Sequence, residues 1–133
     1  MTFHKLLIAN RGEIACRIIK SAHDMGISCV AVYVDADADS LFVKQADEAV
    51  RLSDSYLNSK EIIAAAKSTG AQAIHPGYGF LSENAKFSRD VLKEGLIWVG
   101  PNSRVITSMG DKLKAKVLAE KAGVPTLPMT TDP

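Results

Sequence analysis

The residues with the clearest potential for chemistry lie in one segment, residues 74–84, which reads Ile-His-Pro-Gly-Tyr-Gly-Phe-Leu-Ser-Glu-Asn. The segment starts at the end of an apolar run, passes through a turn with one proline and two glycines, and ends at a predicted helix start. In open α/β folds such a junction lies at the carboxyl edge of the sheet, where ligands bind. The pattern therefore predicts a ligand-facing loop and leaves the ligand open.

Two side chains of this segment, His75 and Glu83, are candidates for acid–base chemistry near neutral pH. His75 stands at the predicted strand end, before a proline, where a hydrogen-bonded structural histidine is more common than a general base. Glu83 falls in the first turn of the helix that Ser82 is predicted to cap, where the helix dipole stabilises a negative charge. Capping explains Glu83 as well as a chemical role does, so both interpretations stay open.

Two further positions correspond to places where other proteins bind an anion. Residues 10–13, Asn-Arg-Gly-Glu, occupy the place of a Rossmann phosphate loop, but the glycine fingerprint is absent apart from Gly12, which argues against a dinucleotide-dependent dehydrogenase. Lys112 lies in the first turn of a predicted helix, where a cation opposes the helix dipole unless an anion binds there. A solvated lysine on a lysine-rich helix is the alternative interpretation of Lys112.

Neither the acidic residues nor the cysteines predict a metal site. Residues 35–39, Asp-Ala-Asp-Ala-Asp, begin like a calcium loop, but the chain lacks the glycine and the closing glutamate that such a loop needs. Cys16 and Cys29 have no cysteine or histidine at ligand spacing, so we expect buried, reduced thiols. Reduced thiols fit a cytoplasmic protein, or one of the mitochondrial matrix in a eukaryote.

Composition argues against several classes of function. The 133 residues are 47% hydrophobic and 23% charged with a net charge of +1, which suits one domain with a core and gives no reason to expect nucleic acid or a membrane surface as a partner. No apolar run approaches the roughly 18 residues of a membrane helix. The first residues lead directly into a strand-like run without a signal region.

Short apolar runs alternate with amphipathic stretches along the chain. Strands are predicted at residues 5–9, 29–34, 49–52, 71–75 and 96–99, and helices at 13–25, 41–46, 58–69, from 82, at 103–109 and from 111. The alternation predicts an α/β fold, a three-layer, Rossmann-like domain with a parallel sheet of about five strands. We assign residues 1–110 to this domain and residues 111–133 to a helix and linker that lead to a further domain.

Local patterns predict which helix faces pack on the sheet and how one helix begins. Asn58 and Glu61 form a candidate capping box for the helix of residues 58–69. The apolar stripes are predicted to consist of Ile14, Ile18, Ile19, Ala22 and Met25 in the first helix, and of Phe87, Val91 and Leu92 in the helix from residue 82.

Several motifs together resemble the N-terminal domain of biotin carboxylases. They are residues 9–15 (Ala-Asn-Arg-Gly-Glu-Ile-Ala), 46–49 (Ala-Asp-Glu-Ala), 74–84, Gly100-Pro101 and 109–112 (Met-Gly-Asp-Lys). The motifs follow the order and rough spacing of the family over essentially the whole chain, and the run at 74–84 is highly specific. Residues 15–17 and 71–73 look more like acyl-CoA or urea carboxylases than pyruvate carboxylases.

The resemblance implies a role for this chain within an enzyme that uses MgATP to activate bicarbonate and then carboxylates biotin on a carrier. It implies that Lys112 contacts the nucleotide and that Tyr78 and Gly79 lie near biotin, with Glu83 close to the reacting centre. It also implies a homodimer interface on the exposed face of the first helix, formed by Arg17, Lys20 and Asp24.

The family's remaining machinery lies in later segments that these 133 residues do not contain. Those segments hold the ATP-grasp lid, the metal-binding glutamates, the base for bicarbonate and the arginine that polarises biotin. We therefore expect full binding of ATP, Mg²⁺ and biotin to need the missing domains, and the isolated chain to be inactive. No residue of the chain is predicted as catalytic or as a metal ligand.

Expected partners are a biotin carboxyl carrier domain and a carboxyltransferase component. The final carboxyl acceptor stays open among acetyl-CoA, propionyl-CoA, methylcrotonyl-CoA, urea and pyruvate. The alternative to a carboxylase domain is a free-standing truncated module that binds or assembles with carboxylase subunits without catalysis.

Overall fold

The computed structural model describes residues 3–100. The helices predicted at 103–109 and from 111, the linker at 111–133 and Lys112 all lie outside the described residues. Within residues 3–100, none of the helices is long and apolar enough to cross a membrane.

Five parallel strands form one sheet in the order β3-β2-β1-β4-β5. The strands are β1 (Lys5–Ile8), β2 (Ser28–Tyr33), β3 (Glu48–Arg51), β4 (Ala73–His75) and β5 (Ile97–Trp98). The chain moves outward from β1 to β3 and then crosses to the other side of β1 for β4 and β5. The strand order therefore reverses between β1 and β4, and their carboxyl ends, where Ile8 pairs with His75, form the switch point at which such sheets bind ligands.

Four α-helices connect these strands. They are α1 (Gly12–Asp24), α2 (Leu41–Gln45), α3 (Ser59–Thr69) and α4 (Ala85–Lys93), with a 3-10 turn at Asp35–Asp37 inside the predicted acidic loop. The predicted α/β class, the five parallel strands and these four helices are confirmed, with bounds that differ by one to three residues.

The core lies between the sheet and the helices. Leu7, Val30 and Ile74 on the three central strands are fully buried, as expected for a parallel sheet covered on both faces. Two residues of the predicted stripes are exposed instead: Met25 at 57% and Leu92 at 53%. Met25 lies just past the end of α1, where the helical spacing of the apolar stripe no longer holds. Leu92 lies about 100° around α4 from the buried face of that helix, beside β5, a strand of two residues.

The two predicted helix starts had different outcomes. Asn58 caps α3 as predicted, because its Oδ1 accepts the Glu61 N–H at 3.2 Å while its Nδ2 donates to Glu61 Oε1 at 2.8 Å. Ser82 does not cap α4. The cap is Asn84, whose Oδ1 accepts the Phe87 N–H at 2.9 Å, and the helix begins at the next residue, Ala85. Ser82 is buried in the preceding turn, where its N–H donates to Gly79 O at 2.9 Å, so Glu83 lies before the helix and not in its first turn.

Ser88 on α4 gives a testable consequence of packing. Its Oγ is buried without a hydrogen-bond partner among the described residues, and the residue is 0% exposed. Because an unsatisfied buried hydroxyl is costly and alanine favours helix, Ser88→Ala should raise the free energy of unfolding by about 1 kcal/mol in urea denaturation. Ser68→Ala is the matched control, since Ser68 Oγ donates to Ala65 O at 3.1 Å, and it should bring no comparable gain. A loss of stability in Ser88→Ala would contradict the view that the Ser88 hydroxyl is buried without a hydrogen-bond partner.

Candidate functional site

The side chain of Asn10 joins the two loops at the switch point. Asn10 follows β1, is 1% exposed, and donates from Nδ2 to Pro76 O at 2.8 Å and to Tyr78 O at 2.5 Å. Its Oδ1 accepts the Arg11 N–H at 2.8 Å. Both amide protons and the amide oxygen are therefore used, and the loop after β4 is held against the turn after β1.

The loop after β4 has an unusual backbone that this contact requires. Gly77, Gly79 and Phe80 have positive φ angles of 65°, 68° and 49°. A Cβ on Gly77 would stand 2.6 Å from Asn10 Nδ2, so a side chain at this position would displace the amide. Glycine is needed at position 77 both for the left-handed backbone and for the close approach of Asn10.

His75 is part of the same loop and has a structural role. Its Nδ1 accepts the Gly77 N–H at 3.0 Å, and its burial lowers the pKa of the imidazole below the usual value. A neutral ring with Nδ1 as acceptor is the form that suits this bond. The hydrogen-bonded structural histidine favoured by the sequence is confirmed.

The predicted ligand-contacting residues are presented to solvent at this edge. Tyr78 is 61% exposed although its carbonyl is held by Asn10, and Gly79 and Glu83 are exposed as well. A mostly apolar groove of about 610 Å³ leads from Tyr78 past His75 to α1. The edge thus exposes a phenol ring, a glycine and a carboxylate on a base held by hydrogen bonds. Such an arrangement suits binding.

A second network braces the site from the other side, and the sequence did not indicate it. Arg11 Nε and Nη2 donate to the two oxygens of Asp37 at 2.6 and 2.7 Å, and Tyr56 Oη donates to Asp37 Oδ2 at 2.5 Å. The ring of Tyr56 packs on Phe80 of the loop, with centroids 5.4 Å apart. The bidentate ion pair and the ring contact together connect the α1 start, the 3-10 turn and the loop after β4.

The charges of this network shift its ionisation. The hydrogen bond from Arg11 lowers the pKa of Asp37 to about 2 against the opposing effect of burial. Burial and the hydrogen bond to Asp37 raise the pKa of Tyr56 to about 12. Asp37 therefore stays ionised and Tyr56 stays protonated over the physiological pH range. The sequence pattern does not distinguish Asp37 from the two other aspartates of residues 35–39, because its 5% exposure is set by tertiary packing.

The polar face of α1 is exposed as predicted. Lys20 Nζ lies 3.4 Å from Asp24 Oδ2, with side chains 80% and 68% exposed, and Arg17 is exposed beside them. An exposed pair of this kind contributes little to stability. The face is available for an interface, and the dimer itself stays a prediction.

The expectation that both cysteines are buried is correct for one of them only. Cys29 is buried as predicted, but Cys16 is only partly buried. The sequence spacing gave neither cysteine a histidine neighbour, whereas the structure places His23 and Asp47 next to Cys29, with one ligand atom of each within 4.8 Å of the others. His23 meets Cys29 because α1 returns to the start of β2, and Asp47, 18 residues after Cys29, joins them because β3 pairs with β2.

The fold and the clamped loop define the class of the domain: a Rossmann-like α/β domain with a braced, exposed loop at the switch point of its parallel sheet. The model of the biotin carboxylase N-terminal domain matches residues 2–106. The chain belongs to this family, as the sequence motifs predicted.

Known proteins agree with this assignment. The chain is 54% identical over 131 residues to the propionyl-CoA carboxylase alpha chain of Ruegeria pomeroyi, covering 95% of this chain and 19% of that protein. It is 53% identical over 132 residues to the mitochondrial propionyl-CoA carboxylase alpha chain of Homo sapiens, covering 96% and 18%. The chain therefore spans about a fifth of the length of these relatives.

A solved structure resembles the whole fold. It is the biotin carboxylase domain dimer of the Hydrogenobacter thermophilus 2-oxoglutarate carboxylase, in complex with MgADP, ADP and bicarbonate. Its TM-score is 0.83 at 46% sequence identity, and the match covers 98% of this chain and 30% of that chain.

The Asn10 contact predicts unequal effects of two glycine substitutions. Gly77→Ala forces a left-handed alanine, at roughly 1–2 kcal/mol, and also disrupts the buried amide, at roughly 1–3 kcal/mol. In Gly79→Ala the added Cβ has no atom within 4 Å, so this substitution has only the cost of the left-handed backbone. Urea denaturation should therefore show a larger loss for Gly77→Ala, and equal losses would contradict the role of Asn10 as a clamp.

The ion pair at Asp37 predicts a pH dependence of stability. Because the folded pKa of about 2 lies below the unfolded value, the stabilisation by Asp37 is present above about pH 4 and is lost as the pH falls towards 2. Asp37→Asn should be less stable than the natural chain at pH 6, and the difference should shrink between pH 4 and pH 2. Asp35→Asn is the control, because the Asp35–Arg51 pair is exposed and should contribute little. A constant difference across this pH range would overturn the prediction.

Proposed function

We propose that this chain forms part of the active site of an ATP-dependent biotin carboxylase, which uses MgATP and bicarbonate to carboxylate biotin on a carrier domain. The observation that carries the proposal is the family match combined with the clamped loop at the switch point, where Asn10 holds the carbonyl of an exposed tyrosine. The structural relative that binds MgADP and bicarbonate supports ATP and Mg²⁺ as cofactors.

Roles of individual residues follow from the motifs. We assign nucleotide contact to Lys112 and proximity to biotin to Tyr78 and Gly79, and we place Glu83 near the reacting centre. The exposure of the last three on a braced loop supports these roles, since a ligand can reach them from solvent. Within this chain no residue is assigned a catalytic role.

Partners and substrate are inferred from the relatives. The propionyl-CoA carboxylase alpha chain of Ruegeria pomeroyi and a methylcrotonoyl-CoA carboxylase subunit of Arabidopsis thaliana favour an acyl-CoA carboxylase, with a carrier domain and a carboxyltransferase as partners. Arg17, Lys20 and Asp24 are assigned to a homodimer face, and the dimer in the Hydrogenobacter structure supports this. Bacterial and mitochondrial relatives support a cytoplasmic or matrix location.

Replacement of the corresponding domain in the Ruegeria pomeroyi alpha chain by residues 1–133 tests the function. The chimera should hydrolyse ATP in a bicarbonate- and biotin-dependent manner, while the isolated chain should not. In the chimera, Lys112→Ala should raise the KM for ATP about tenfold or more, because a charged hydrogen bond is worth about 1.5–3 kcal/mol. Lys114→Ala, two positions along the same predicted helix, is the matched control.

The outcomes separate the two candidate functions. A folded but inactive chimera would favour the free-standing module that binds carboxylase subunits without catalysis. An active chimera in which Lys112→Ala and Lys114→Ala behave alike would keep the carboxylase and reject the nucleotide role of Lys112. Activity of the isolated 133-residue chain would refute the need for the missing domains.

A further inference from the structure

Three potential metal ligands converge at the amino edge of the sheet, opposite the edge that carries the Asn10 clamp. His23 lies in the last turn of α1, Cys29 is the second residue of β2, and Asp47 immediately precedes β3. One nitrogen, one sulfur and one oxygen from these side chains all lie within 4.8 Å of one another. Each ligand comes from a different element, so the packing of α1, β2 and β3 determines the arrangement.

The carboxylate of Asp47 holds this cluster in place. Its Oδ2 accepts the Cys29 N–H at 2.7 Å and lies 2.8 Å from His23 Nε2. His23 and Asp47 are exposed, whereas Cys29 is 0% exposed and lies beneath them. A cation arriving from solvent would therefore meet the imidazole and the carboxylate first and the thiol last.

The donor set is selective for one chemical class of cation. Sulfur, imidazole nitrogen and a single carboxylate suit zinc and similar transition metals, whereas Mg²⁺ and Ca²⁺ require more oxygen ligands. Bonds of about 2.0–2.3 Å in a tetrahedron place ligands about 3.3–3.8 Å apart. The widest separation in the cluster must therefore contract by up to about 1 Å, whereas His23 Nε2 and Asp47 Oδ2, which are 2.8 Å apart, must separate slightly. The exposed side chains of His23 and Asp47 can supply this movement by rotation.

We propose that His23, Cys29 and Asp47 form a binding site for a zinc-type divalent cation, with water as the fourth ligand. Binding releases the thiol proton to solvent and replaces the His23–Asp47 contact by two bonds to the metal. The bound cation cross-links α1, β2 and the segment before β3, so it stabilises the folded chain by mass action.

Cobalt and zinc titrations of the reduced, metal-free 133-residue chain test the site. Co²⁺ should produce a thiolate-to-cobalt charge-transfer band in the near ultraviolet, and Zn²⁺ in hundredfold excess over its Kd should raise Tm by about 5 °C or more. Mg²⁺ at the same concentration should change neither measurement. Absence of the band and of the Tm shift would overturn the proposal.

Variants identify the ligands. Cys29→Ser should abolish the cobalt band, and the exposed substitution His23→Gln should weaken zinc binding at least about tenfold while far-ultraviolet circular dichroism shows that the fold is kept. Cys16→Ser and His4→Gln are matched controls that should retain both the band and the affinity. A band that survives Cys29→Ser or is lost in Cys16→Ser, or zinc affinity unchanged in His23→Gln, would show that the cation binds elsewhere and would refute the site.

Discussion

One buried carboxamide determines the geometry of the carboxyl edge of the sheet. Asn10 uses both amide protons on carbonyls of the loop after β4 and its oxygen on the next backbone N–H. A buried amide is stable only when it is fully hydrogen-bonded, so the loop cannot leave Asn10 without a cost. The left-handed backbone at Gly77 and the exposed position of Tyr78 both depend on this contact.

The Arg11–Asp37–Tyr56 network supports the same loop through a different physical interaction. Asp37 is almost fully buried, and its charge is acceptable there because a bidentate arginine and a phenol both bind it. Tyr56 also packs on Phe80 and so connects Asp37 to the loop after β4. A rigid base of this kind lets an exposed loop present its residues in one position, which is what a binding site requires.

Polar side chains are arranged differently at the two edges of the sheet. At the carboxyl edge, the polar atoms of the buried Asn10 side chain are all hydrogen-bonded within the chain, and the ring of Tyr78 is exposed. At the amino edge, His23 and Asp47 remain exposed above the Cys29 thiol. The family match covers residues 2–106 and so both edges, and the meeting of His23, Cys29 and Asp47 at the second edge follows from the packing of α1 against β2 and β3.

The sequence by itself determined the fold class, the five strands and the position of the ligand-facing loop, because apolar periodicity, glycines and Asn58 act over a few residues. It also determined the family, because the family's motifs are short runs of consecutive residues that can be recognised without the structure. Only the tertiary structure decided that Asn84, not Ser82, caps α4, that Asp37 is buried, and that His23 meets Cys29. Asp37 is buried by Arg11 and Tyr56, which lie 26 and 19 residues away, and Asp47 reaches Cys29 because β3 pairs with β2; local patterns do not encode these contacts. Asn84 caps α4 through Phe87, three residues on, but serine and asparagine are both favoured capping residues, so the packing of the preceding turn decides between Ser82 and Asn84.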